Sequence, residues 1–148
     1  MTRARVGQSR PQLLLSIISG TLIFSVSFSA STRSAEARLS CRPEPGPGRV
    51  LCELEVEAPG GRVLPWADAL VVSSPAHAPP LRSRYGPTHA AARTESRLRL
   101  PIALAAVRAG RGQLEVDARR VTCRSDGSVC VSEVSRVVAL VEVGVEPP

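Results

Sequence analysis

The stretch Val121–Cys130, VTCRSDGSVC, sets two cysteines around an Asp-Gly pair, and its reading decides the fold. Asp126-Gly127 signals a two-residue hairpin turn, because aspartate and above all glycine tolerate positive φ. With the turn centred there, Ser125 faces Ser128, Arg124 faces Val129 and Cys123 faces Cys130. Opposed residues of antiparallel strands hold their Cα atoms roughly 4.5–5.5 Å apart, a span that a disulfide accepts. The same test applies upstream. The midpoint of Cys41 and Cys52 falls within Pro45-Gly46-Pro47-Gly48, again a turn signal. Two pairs, each symmetric about its own turn, predict Cys41–Cys52 and Cys123–Cys130 over either crossed connectivity.

Outward from these hairpins the pattern is that of strands. Val50, Cys52, Leu54, Val56 and Ala58 alternate with Leu51, Glu53, Glu55 and Glu57, a half-buried strand with an acidic outer face. Ala67 to Ser74 follows the only tryptophan, Trp66, which reads as a core residue packed against a disulfide. Leu98, Leu100, Ile102 and Leu104 alternate with Arg97, Arg99, Pro101 and Ala103, and Pro101 marks an edge strand or a bulge. Leu114, Val116 and Ala118 continue the theme, and a β-branched run spans Val137 to Val145. No long segment has a helical period. Short strands separated by Gly and Pro predict an all-β fold, a small antiparallel immunoglobulin-like β-sandwich with two hairpin disulfides. Pro75 to Thr94 departs from the pattern, with four prolines, both histidines and the only tyrosine. It reads as a long surface loop with a helical turn near Ala90 to Ala92, and loops of this length often carry function.

The first residues read as a targeting segment. Arg3, Arg5 and Arg10 precede the apolar run Leu13 to Ala30, and Ala35-Glu36-Ala37 fits a small-x-small cleavage pattern. Residues 1–37 are therefore expected to be a signal peptide, with cleavage after Ala37 preferred to cleavage after Ser29, and residues 38–148 to form a single domain. Five serines and a glycine dilute the run, which argues against a retained membrane anchor. Arg38-Leu39-Ser40 ahead of Cys41 does not suit a lipoprotein signal. The expected product is exported, to the periplasm or outside a bacterial cell, with no stable membrane anchor after cleavage. An even cysteine count in the mature part suits an oxidising compartment.

Charge excludes rather than identifies. The formal net charge is +6, and every basic residue is arginine. Half of that excess lies in the first 37 residues, which hold four arginines and one acid. The mature part has no phenylalanine, one tryptophan and one tyrosine, too few aromatics for stacking on bases, so nucleic-acid binding is not expected. Asp68, His77 or His89, and Ser73 or Ser74 contain the residue types of a hydrolase triad, but no G-x-S-x-G elbow supports one. The histidines lack metal-ligand spacing, so neither a metal nor another cofactor is expected. Arg82, Arg84, Tyr85 and Arg93, on the Pro75–Thr94 loop, are the candidate binding residues, with Arg97 and Arg99 beside them.

The C-terminal part, from Arg97 to Val143, resembles the N-terminal domain of the DsbD thiol–disulfide transporters. It is also similar to related all-β modules found beside thioredoxin-like or NHL-repeat domains. The likeness lies in Leu100-Pro101-Ile102, the turn from Gly110 to Gly112, the strand Leu114 to Cys123, then Cys130 and the final strand Val137 to Val143. The resemblance implies an immunoglobulin-like fold and a redox-active pair, with Cys130 attacking partners and Cys123 resolving. The DsbD pattern has Tyr-Pro-Pro after its second cysteine, where this chain has Val131-Ser132-Glu133. The leading expectation is an exported, non-enzymatic interaction or structural module of the periplasm or cell envelope with a protein partner. The alternative is a thiol–disulfide exchange module using Cys123 and Cys130.

Overall fold

Residues that alternate in polarity alternate in burial. The computed structural model describes residues 36–145; the expected signal segment lies almost wholly outside them. The strands are β1 (Ala37–Cys41), β2 (Gly48–Glu57), β3 (Arg62–Ser73), β4 (Arg84–Tyr85), β5 (Ala92–Arg93), β6 (Arg97–Ala106), β7 (Gly110–Arg124) and β8 (Cys130–Val143). They form two antiparallel sheets, one ordered β1-β2-β6-β5 and the other β4-β3-β7-β8. This is the strand order of an immunoglobulin-like sandwich.

Between the sheets lie Val50, Leu54 and Val56 of β2 with Leu98, Leu100, Ile102 and Leu104 of β6. Leu114, Val116 and Ala118 of β7 and Val141 and Val143 of β8 close on them from the other side. Aliphatic side chains of this size give a thin core, and two covalent staples reinforce it. Cys41–Cys52 and Cys123–Cys130 are both bonded, each with Cα atoms 4.0 Å apart, as the turn symmetry requires. Each loop is short enough that the chain-entropy model assigns roughly 2.5–3 kcal/mol to its closure.

The turn between the second pair differs from the two-residue form. Gly127 N–H donates to Arg124 O at 2.8 Å, so Ser125 and Asp126 occupy the corners and Gly127 follows at φ 73°. In a two-residue turn Ser128 N–H would bond Ser125 O. Here the Asp126 carboxylate takes it at 2.9 Å and the Ser128 hydroxyl at 2.6 Å. Those two bonds hold the Asp126 pKa below the usual carboxylate range. The register beyond is unchanged, since Arg124 still faces Val129 and Cys123 faces Cys130.

Trp66 does not join the core. A register shift between Val63 and Trp66 separates it from the start of β3, and it lies opposite Val121. Alternation then points Ala67 and Ala69 inward and turns Trp66 to the outer face, half-buried beneath the Arg119 guanidinium, 5.9 Å from the ring centroid. The Pro75–Thr94 segment is also more ordered than a surface loop. It contains β4, a 3-10 turn at Pro87–His89 and β5, and the turn begins at a proline suited to that position. His77 is buried against Gly110, where an added Cβ would meet the ring at 2.9 Å.

The described fold uses the two residues just ahead of the expected boundary at Arg38. Ala37 opens β1 opposite Val56, and Glu57 N–H donates to Glu36 O at 2.8 Å. Glu36 and Glu133 both pair with Arg120, a guanidinium only 2% exposed on the inner side of β7. A chain beginning at Arg38 should therefore be less stable than one beginning at Arg33, by about 1–2 kcal/mol after allowing for the exposed carboxylates. Urea denaturation of the two chains checks this, and coincident midpoints would reject it.

Candidate functional site

A backbone position without an N–H on β6 borders one of the surface depressions. The odd-numbered residues of β6 turn their backbone groups to the β5 side. Arg99 O accepts from Ala91 N–H at 2.9 Å, Ala103 O from Leu81 N–H at 2.9 Å, and Ala105 N–H donates to Pro79 O at 2.8 Å. Pro101 stands in this series and has no N–H to offer. The chain beside β6 leaves the edge after Leu81 and returns only at Ala91, so Pro101 lies where the ladder is interrupted.

Tyr85 closes the neighbouring rung. Its hydroxyl accepts from Ala103 N–H and donates to Ala103 O, both at 3.1 Å. Tyr85 belongs to β4, paired with Ala69 of the second sheet, so this one side chain ties the second sheet to the edge of the first. Above it opens a groove of about 360 Å³ whose floor includes Leu81, Pro101 and Ala103. Arg49, Arg82 and His89 stand around it. Leu81 is 56% exposed. Neither Arg49 nor Arg82 has a carboxylate partner among the described residues.

The four binding candidates separate. Arg82 lines the groove, and Tyr85 anchors it from beneath. Arg84 points to the other sheet, where its Nε donates to Asp68 at 2.7 Å. Arg93 donates to Pro65 O at 3.0 Å, beside a separate shallow depression. Arg97 and Arg99 pair with the acidic face of β2, Glu53, Glu55 and Glu57. Arg49 and His89 were not among the binding candidates. The interruption at Pro101 was visible as a strand proline, but which residues would gather at it was not.

The triad residues are not brought together. Asp68 is fully buried between Arg84 and Arg119, and its carboxylate bonds neither histidine. His77 packs on Gly110, while His89 belongs to the groove on the opposite sheet. Among the described residues no cluster of three His, Cys, Asp or Glu side chains is placed to hold a metal ion.

The two disulfides occupy different environments. Cys52 is 1% exposed within the core between the sheets, with Cys41 packed against it. Cys123 and Cys130 lie on the outer face of the second sheet, because Thr122 and Arg120 take the inner positions of β7. Cys123 is covered, and Cys130 is exposed. Arg62 reaches over this end of the strands, donating to Thr122 O at 3.0 Å and Val129 O at 3.4 Å.

The groove depends on the Tyr85 hydroxyl, so Tyr85→Phe should destabilise the domain by about 1–3 kcal/mol, since it strands the Ala103 N–H. Amide hydrogen exchange checks the cause: Ala103 should lose protection while the β7–β8 hairpin keeps its own. No family model matches this chain, and no curated protein shows significant similarity to it.

Proposed function

We propose that the protein is an exported, non-enzymatic interaction module of the periplasm or cell envelope, and that the groove beside Pro101 is its contact surface. The observation that carries this reading is a depression with an apolar floor, an exposed leucine and two arginines lacking carboxylate partners among the described residues. Apolar anchors framed by guanidinium groups are typical of surfaces that bind proteins. Two disulfides suit an oxidising compartment, and no helix among the described residues is long and apolar enough to cross a membrane. A photo-crosslinking side chain tests the reading. Placed at Leu81, it should yield a discrete adduct with an envelope protein, whereas at the exposed Val138 of β8 it should not. Adducts at Val138 alone, or at neither position, would reject the groove.

A second reading is thiol–disulfide exchange through Cys123 and Cys130, in line with the resemblance to the DsbD N-terminal domain. It is favoured by the exposure of Cys130 and by Arg62 and Arg124 near the pair, since cations favour thiolate. Under this reading Cys123→Ser accumulates mixed disulfides through Cys130. Titration of the intact pair adds a value: near about −200 mV the bond opens to cellular thiols, whereas below about −300 mV it is a staple.

A further inference from the structure

Arg82 and His89 meet in an arrangement that lacks an acceptor. The 3-10 turn fixes the imidazole, with His89 N–H bonded to Gly86 O at 2.9 Å. Gly86 N–H in turn donates to His89 Nδ1 at 3.0 Å. The Nδ1 lone pair is thereby used, and the proton of the neutral ring sits on Nε2. Yet the nearest neighbour of Nε2 is Arg82 Nη1, at 2.9 Å, and a guanidinium has donors only. Two donors thus face each other at the border of the groove. What completes them is a negatively charged oxygen that accepts from both.

The surroundings repeat that preference. Arg49 stands across the groove, and no acidic side chain lines it. The acids on the outer face of β2, Glu53, Glu55 and Glu57, pair with Arg97 and Arg99. A small free anion would gain little here, because the groove is open and exposed ion pairs are weak. The floor of Leu81, Pro101 and Ala103 supplies the rest. Pro101 also borders a second depression of about 200 Å³, lined by Leu51 and Cys52 together with Ser40, Arg42 and Glu53, so some apolar surface continues along the face of the sheet, between charges of both signs. A strip with converging donors at one end fits an extended segment in which acidic and apolar side chains neighbour one another.

We propose that the groove binds a carboxylate side chain of an extended acidic segment in a partner protein, gripped between His89 Nε2–H and the Arg82 guanidinium. An adjoining apolar side chain rests on Leu81 and Pro101. This rests on the interaction reading above and names the chemistry of the partner. Two charge-assisted hydrogen bonds to one carboxylate supply selectivity, since a neutral amide in the same place keeps the apolar contact but offers the two donors only an uncharged carbonyl oxygen.

The test uses nuclear magnetic resonance on the isotopically labelled mature protein with two synthetic peptides, acetyl-Glu-Leu-Glu-Leu-amide and its Gln-Leu-Gln-Leu counterpart. The acidic peptide should shift Leu81, His89 and Ala103 saturably, and it should bind about tenfold more tightly than the neutral one. Arg82→Gln should remove that preference, and Arg93→Gln, outside the groove, should leave it intact. The long-range spectrum of the imidazole should show Nε2 protonated and moved by the acidic peptide alone. Equal affinity for the two peptides at the groove overturns the carboxylate assignment while leaving the interaction reading in place. Absence of any shift up to about 10 mM, a range that admits very weak binding, also overturns it. Crosslinking from Leu81 then decides the interaction reading separately.

Discussion

The edge of β6 is the constraint on which the surface of this sandwich depends. An exposed edge must find partners for its N–H and C=O groups or shed them, and this edge does both. Pro79, Leu81 and Ala91 supply backbone partners, Tyr85 lends its hydroxyl to Ala103, and Pro101 removes one donor altogether. The chain is thereby held to β6 at two places and released between them. The released part carries Arg82 and His89, and the uncovered part of the sheet exposes Pro101. A residue lacking an N–H thus lies where the groove opens. Because Tyr85 pairs within the second sheet, the groove floor also follows the spacing between the sheets.

Charge is distributed by the same economy. With no lysine, every cation is a planar fork able to bond a carboxylate at two points, and seven of the fifteen described arginines pair with one. Arg119 and Arg84 enclose Asp68, Arg120 joins Glu36 to Glu133, and Arg136 holds Asp117. The first of these lets a fully buried carboxylate sit on the outer face of a sheet, bonded to the Arg119 guanidinium that also lies over Trp66. Such closed pairs stabilise by avoiding an uncompensated buried charge rather than by a large net attraction. Arg49 and Arg82 are among the arginines without a carboxylate partner in the described residues, and these two border one groove.

What was legible in the sequence was local. The cysteine pairing followed from distances to a turn, and the strands from a period of two, both properties of a few consecutive residues. The type of turn was not legible, because Asp126 competes with the backbone for Ser128 N–H, a choice that the Asp-Gly dipeptide does not encode. Trp66 was misplaced for a related reason, since the register shift near Val63 settles which face it takes only after β7 is in position. The groove was legible in pieces. Pro101 was marked as a break and Arg82 and Tyr85 as contacts, yet Arg49 lies on β2, far along the chain, and His89 acquires its orientation from a backbone N–H. Only the folded edge joins them.

The placement of the second disulfide keeps the two functional readings physically separate. A thiolate that opens a disulfide must approach one sulfur in line with the bond while the other leaves. Cys130 is the exposed member and Cys123 the covered one, so an incoming thiol meets Cys130, and Cys123 is the leaving group. That polarity comes from the strand register, which turns both cysteines outward at the end of the β7–β8 hairpin. In the other pair Cys52 is enclosed between the sheets and Cys41 is half-buried on the edge strand β1, so neither sulfur is as open as that of Cys130. The groove lies on the outer face of the other sheet. The disulfide exchange and the recognition proposed above would therefore use opposite faces of the sandwich. A partner seated on one face would leave the other free, and each property is open to change without disturbing its counterpart.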